Sequence, residues 1–260
     1  MQEPTSPADE QSDYKRLREL VSSRRSVRRF RQAPVSRELV EKVLDIARLS
    51  PSAANSQPWE FVVVEDAETR RRIALAAASV FLEARKKDPT FEWDSSVQPF
   101  LYQAPMLILV LGDRRMLAAY PNILRGNVLL RQSLANCVYG LQLAAASLGL
   151  ATAWGTIQGG RPEVEIRELL DIPDVFTIDH IIPLGYADDA EGARAAALRP
   201  ARERAPHRRQ LADIVHWGSY DSSRRRSDEA AQEFIWSETV TRVRRQPREH
   251  EDTSGSEASP

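Results

Sequence analysis

Two short segments near the start of the chain hold the side chains best suited to chemistry. Arg24, Arg25, Ser26 and Arg28 fall within the run RRSVRRF at 24–30. A guanidinium meets a phosphate through two parallel charge-assisted hydrogen bonds, and a neighbouring hydroxyl can donate another. This cluster therefore reads as a grip for an anion, with Phe30 as its anchor in a core. A run of arginines standing alone reads equally well as solvated surface, but a second segment follows about 20 residues later. SPSAANSQPW at 50–59 puts Ser52 and Asn55 in a polar loop stiffened by Pro51 and Pro58. Asparagine offers both a donor and an acceptor, which suits the polar edge of a heteroaromatic ring.

Little else along the chain invites reaction. The single cysteine, Cys137, excludes an intrachain disulfide and lies on an apolar helical stretch, where a thiol is inert. The four histidines, at 180, 207, 216 and 250, are scattered, so no metal cluster can be assembled from adjacent Cys/His motifs. His180 and His216 sit in segments that read as packing. Ser52 has no base close to it in sequence, which removes a Ser-His-Asp reading. Neither a GxGxxG nor a P-loop pattern is present, so a doubly wound dinucleotide fold has no local support. With 36 basic against 37 acidic residues the formal net charge is -1. No global field draws the chain to nucleic acid or membrane, and neither is expected as a partner. The opening MQEPTSPADEQSD is polar and acidic, unlike an export signal, so a cytoplasmic location is expected.

The elements that must position these residues follow from hydrophobic period and punctuation. A length of 260 residues with 42% apolar content suits one principal domain with polar ends. Residues 1–12 read as a disordered arm, 13–217 as the folded domain, 218–245 as an extension with a helix over 227–245, and 246–260 as a disordered tail. A first helix is expected over 13–23. Ser36 can cap a second beginning near Arg37, with Leu39, Val43, Leu44, Ile46 and Ala47 as its buried stripe. WEFVVVED at 59–66 is a strand whose valine run predicts cover on both faces and a central place in a sheet. A helix over 67–85, a buried strand at 106–113, and a core helix at 128–148 ending at Gly149 come next. Then come a strand at 150–157, a short helix at 163–170 and a strand at 179–188. Two irregular pieces, 89–102 and 114–127, interrupt this order.

The pattern Arg-Arg-Ser-x-Arg-x-Phe followed by Pro-Ser-x-x-Asn-x-Gln-Pro-Trp resembles the nitroreductase family of FMN-dependent oxidoreductases. Agreement extends over roughly 20–217 through MLILVLGD, the helix ending SLGL, AWGTI, IPLGY and HRRQLADIVHW. The resemblance implies an α+β fold, a central mainly antiparallel sheet flanked by helices, in an interlocked homodimer with two FMN sites built across the interface. It implies that Arg24, Arg25, Ser26 and Arg28 hold the ribityl phosphate and flavin edge from one subunit. Pro51, Ser52, Ala53 and Asn55 would approach the ring from the other. Trp154, Gly155 and Thr156 match the family segment beside flavin N5, although Trp154 also reads as simple core. Arg208, with Arg209 as the register alternative, matches the late basic residue of the phosphate pocket.

The activity implied is two-step hydride transfer, from NAD(P)H to FMN and then to an electron-poor nitroarene, quinone or flavin. A flavin needs no protein nucleophile for this, and no catalytic side chain is assigned. Substrate contacts are expected from the irregular pieces: Phe91, Trp93 and Tyr102 as an aromatic lid or dimer contact, with Tyr120 and Arg125 beside them. Relatives also include reductive dehalogenases, dehydrogenases of biosynthetic intermediates reoxidised by oxygen, and an enzyme that fragments FMN to dimethylbenzimidazole. The last would carry an acidic residue where this chain has Ser26. A noncatalytic flavin- or nucleotide-binding protein is the alternative from another class, and the 218–245 extension is expected to wrap the neighbouring subunit.

Overall fold

Strand β3 (Met106–Asp113) is buried along its whole length but for its last residue, and the sheet is built around it. Its apolar residues alternate between two cores. Met106, Ile108 and Val110 join one cluster, while Leu107, Leu109 and Leu111 join another on the opposite face. Leu107, Ile108, Leu109 and Val110 are completely shielded. At roughly 1.5–3 kcal/mol for each buried aliphatic side chain, these four dominate local stability before the cost of ordering the chain. Such cover on both faces requires helices above and below.

This computed structural model describes residues 7–87, 91–93, 99–119, 126–157, 159–188, 208–232 and 241–243. Residues Met1–Val80 and Ser95–Arg209 belong to one compact unit, and Phe81–Asp94 with Gln210–Pro260 to a second. The break at 209/210, and the inclusion of 81–94 in the second unit, differ from the single boundary expected at 217.

In the first unit, α2 (Arg37–Ala47) packs against α5 (Gly126–Ser147) on one face of the sheet. Residues from α3 (Ala67–Lys87), α4 (Pro99–Gln103) and α6 (Arg161–Leu169) build the core of the other face. Strand β6 (Phe176–Gly185) pairs antiparallel with β3 from Phe176 opposite Asp113 to Leu184 opposite Met106. On the far side of β3 lies β1 (Trp59–Val64). On the far side of β6 lie β4 (Ala151–Thr152) and β5 (Gly155–Thr156). Every pairing of these strands is antiparallel, as the α+β reading requires.

Ser36 caps α2 as expected, its hydroxyl accepting from the Leu39 amide at 3.3 Å. The buried stripe of α2 is Val40, Val43 and Ala47, while Ile46 is exposed. At 100° per residue Ile46 points away from the line joining those three. Helix α5 ends where Gly149 takes a φ of +72° and the Leu150 amide reaches back to the Ala145 carbonyl at 2.8 Å. That is a glycine stop with the following amide closing over the last turn.

Four expectations are corrected here. Helix α1 spans Pro7–Ser23, so residues 7–12 of the supposed disordered arm are helical. Proline at the first helical position with acidic residues in the first turn is a start signal that polar composition concealed. Strand β1 is an edge strand among the described residues rather than central, and Val63 is 37% exposed. The strand expected over 150–157 is broken at Ala153 and Trp154, where the register puts Pro183 opposite Ala153. Proline has no amide hydrogen to give that ladder. His180 lies in the middle of β6, which begins at Phe176 rather than at 179.

The second unit contains the antiparallel pair β2 (Phe91–Trp93) and β7 (Thr241–Val243), with Phe91 opposite Val243. Residues 228–232 are helical, but 241–243 are extended, so the helix expected over 227–245 does not run that far. A pairing across 150 residues leaves no periodic signal in the sequence. His216 accepts from the Asp221 amide at 3.1 Å and stacks on Tyr220, with ring centroids 4.4 Å apart. Trp217 beside it is 91% exposed, against the packing role expected of it.

Candidate functional site

The basic segment extends the sheet beyond β4. The Val27 amide donates to the Thr152 carbonyl at 2.8 Å, in a parallel bridge between Ser26 and Thr152. Further on, the Arg31 amide reaches Tyr186, the Asp188 amide reaches Arg29, and Phe30 bridges Ala187. Phe30 is 5% exposed and acts as the expected anchor. Pinned in this way, the segment leaves Arg25 and Ser26 exposed, with Arg24 and Arg28 half-buried. Arg25 folds its guanidinium onto the carbonyls of Ser22 and Arg24, at the end of α1. Three guanidinium groups and a hydroxyl on a fixed sheet edge make a donor set suited to a phosphate.

The loop 51–58 is stiff for a different reason. Ala54, Asn55 and Gln57 all have left-handed φ, at 48°, 52° and 45°. Such residues are held there by their surroundings, at a cost of order 1 kcal/mol or more each. The Ser52 hydroxyl accepts from the Gln57 amide at 2.9 Å. The Ala53 amide donates to Ser133 Oγ at 3.1 Å, and Asn136 Nδ2 donates to the Pro51 carbonyl at 3.2 Å. Ser133 and Asn136 on α5 were not singled out in the sequence, because polar residues in an apolar helix read only as interruptions. They fasten the loop, whose Asn55 is exposed.

The two segments do not meet within one chain. Ser26 is attached through Thr152 and Leu184 to the Met106 end of β3. The loop feeds Trp59 opposite Gly112, and its Pro58 carbonyl accepts from the Asp113 amide at 2.8 Å, at the other end. The strand between positions 106 and 112 measures about 20 Å. Helix α5 gives a similar length: from Ser133, which holds the loop, to Ala145, where the turn into β4 begins, is about 18 Å.

Trp154, Gly155 and Thr156 lie in the same edge layer as Ser26. Gly155 faces Ile181 so closely that a Cβ would stand 2.8 Å from its carbonyl oxygen. Trp154 is not plain core, being 40% exposed, with Nε1 donating to His180 Nδ1 at 3.1 Å. Burial lowers the His180 pKa from 6.5, with Asp179 opposing and Arg131 adding to the effect. On α5, Cys137 is fully shielded and burial pushes its pKa up to about 12, as expected of an inert thiol.

The remaining candidates stand elsewhere. Arg208 is exposed and Arg209 half-buried, at the start of a described stretch that follows 189–207. Tyr102 on α4 is 47% exposed, and its carbonyl accepts from Arg70 Nη1 at 2.8 Å. Phe91 and Trp93 stand on β2, and their side chains lie outside the description. Tyr120 and Arg125 lie outside the described residues altogether. Among the described residues there is no group of His, Cys, Asp and Glu able to hold a metal ion. No helix among them is long and apolar enough to cross a membrane.

Comparison with known proteins gives the family. The nitroreductase family model matches residues 21–186, from the end of α1 to the residue after β6, and the chain belongs to that family. Family members are FMN-dependent oxidoreductases. The chain is 31% identical over 186 residues to an iodotyrosine deiodinase of Thermotoga neapolitana, covering 67% of this chain and 90% of the relative. It is 30% identical over 205 residues to an NADH dehydrogenase of Thermus thermophilus, covering 75% and 92%. A crystal structure of oxidized iodotyrosine deiodinase bound to FMN and 3-iodo-L-tyrosine superimposes with a TM-score of 0.56 and 25% identity, covering 78% of this chain and all of that one.

Proposed function

We propose that the chain is one subunit of a homodimeric FMN-dependent oxidoreductase that passes hydride from NAD(P)H to an electron-poor acceptor such as a nitroaromatic, a quinone or a flavin. The observation carrying this reading is the separation of the anion grip and the Asn55 loop at opposite ends of β3. Each half is held in place, yet neither completes a site among the described residues of its own chain. A second copy, turned end for end, would bring one chain's loop to the other's grip. Tyr14, Leu17 and Val21 make an exposed apolar stripe on α1, and Ile46, Leu49 and Val63 are exposed as well. Uncovered apolar side chains of this kind suit a buried subunit interface.

The donor set fits FMN. Arg24, Arg25, Ser26 and Arg28 would bind the phosphate, and Asn55 from the partner would hydrogen-bond the polar edge of the ring. Gly155 and Thr156 would line the layer beside it. When bound, FMN supplies the hydride chemistry, taking a pair of electrons from a nicotinamide and giving it to an acceptor. The protein's work is to fix the ring, exclude water and limit what stacks on it.

The deciding experiment is an absorbance spectrum of the purified protein, followed without oxygen as NADH or NADPH is added. Flavin bands that bleach support the reading and give the preferred nicotinamide. Bands that stay oxidised favour a dehydrogenase fed by its own substrate, and no flavin after reconstitution with FMN overturns the proposal. Changing Arg24 and Arg208 together to Ala should remove roughly 2 kcal/mol per lost phosphate contact in an FMN titration. Unchanged affinity would reject the pocket assignment.

A second reading, reductive dehalogenation, is favoured by the iodotyrosine deiodinases among the similar proteins. Iodide released from 3-iodo-L-tyrosine by the reduced protein, with no turnover of nitroarenes, would select it.

A further inference from the structure

We infer that His180 is a positioning residue that holds the Trp154 indole in place beside the candidate flavin site, an assignment that rests on the function proposed above. Trp154 stands in the break between β4 and β5, with no regular pairing of its own to fix it. Thr152, two residues before it, pairs with Ser26, and Gly155, the residue after it, pairs with β6. Among the described residues the polar contact that restrains the ring is with His180: Nε1 donates to its Nδ1 at 3.1 Å, and the two rings meet edge to face with centroids 5.3 Å apart.

The contact dictates the state of the imidazole. An indole N–H can only donate, so Nδ1 must be the bare nitrogen and the proton resides on Nε2. His180 is 9% exposed, and its Nε2 has no hydrogen-bond partner among the described residues. A buried donor left unmatched in this way is costly. A histidine placed only for packing gains nothing from that arrangement over a leucine. Its retained polar atom is the one turned to Trp154. Protonation would put hydrogens on both nitrogens and abolish the acceptor. Asp179 on the same strand and Arg131 from α5 are the charged groups that act on the ring, in opposite directions.

The test compares His180→Asn, which keeps an acceptor near the Nδ1 position, with His180→Leu, which has none. Near-ultraviolet circular dichroism reads the indole, the Trp154 part being assigned by subtracting a Trp154→Phe chain. The Trp154 band should persist in His180→Asn and disappear in His180→Leu. In the FMN-loaded protein, visible dichroism of the flavin should change in His180→Leu and recover in His180→Asn. The same Trp154 band in all chains overturns the inference. A lost band with unaltered flavin dichroism also overturns it, by separating the pair from the flavin. Should His180→Leu fail to fold, His180→Phe takes its place as a ring with no acceptor: the Trp154 band should be lost there, and a retained band rejects the role. Because the indole signal is read without flavin, a protein that binds no FMN would sink the function proposed above and leave the pairing measurable.

Discussion

Acidification should act on His180 before it acts on the carboxylates. In the unfolded chain its imidazole binds a proton near 6.5, while burial lowers that value in the folded state. Between the two values the unfolded state holds more protons, so stability rises with pH there and is lost as pH falls below about 6.5. The Asp66 and Asp113 carboxyls are held below 3.8 by hydrogen bonds from Thr69 and Arg115, so their contributions fade only in stronger acid. Urea midpoints measured from pH 7.5 down to 5 should therefore fall in the natural chain and stay flatter in His180→Asn. Parallel curves would remove His180 as the cause. At this scale the sequence offered candidates, and the arginine cluster, Ser52 and Asn55 could be proposed from type and spacing. The bond from Trp154 to His180 could not, since it joins a residue in the break between β4 and β5 to one 26 positions later on β6.

At the scale of elements, the periodic helices and the apolar β3 were readable within a few residues, while lateral position in the sheet was not. The valines of β1 announce cover without saying what supplies it, and within one chain Val63 remains partly bare. The break between β4 and β5 depends on Pro183, which is visible in the sequence but has meaning only once its register is known. Arg70 was overlooked for a similar reason. Arg70 is 8% exposed and its guanidinium donates to the carbonyls of Glu65, Tyr102 and Ala104, tying α3 to the short helix that bears Tyr102. Replacing it with leucine should destabilise the protein by about 3 kcal/mol, because the buried Ala104 carbonyl and two partly buried ones lose their donor. Urea denaturation would register this as a lower midpoint with a similar slope, and an unmoved midpoint would mean that solvent already satisfies those carbonyls.

For the whole molecule, a site divided between chains makes a prediction that a site within one chain does not. A chain carrying Arg24→Ala and Arg28→Ala should bind FMN poorly, and so should one carrying Asn55→Ala and Ser52→Ala. Unfolded together at equal amounts and refolded, half the dimers combine one of each, and each such dimer has one intact site. About a quarter of all sites should then recover tight FMN binding. No recovery in a fluorescence titration would return both halves to the same chain. The motifs of 20–186 revealed the family because their order survives in sequence, whereas the pairing of Phe91 with Val243 depends on contacts that only folding creates.

The attachment of the basic segment to the far edge of the sheet also sets a schedule for biosynthesis. The amide of Arg31 has its partner at Tyr186, 155 positions later in the chain (186 − 31). At about 5–20 residues per second, a ribosome spends roughly 8–30 s making the intervening stretch. Throughout that interval the arginines that begin the anion grip have no sheet edge to lie on. The arginines, early to leave the ribosome, are thus among the last to find their place, and the cofactor site proposed for them would be assembled only when the domain is nearly complete.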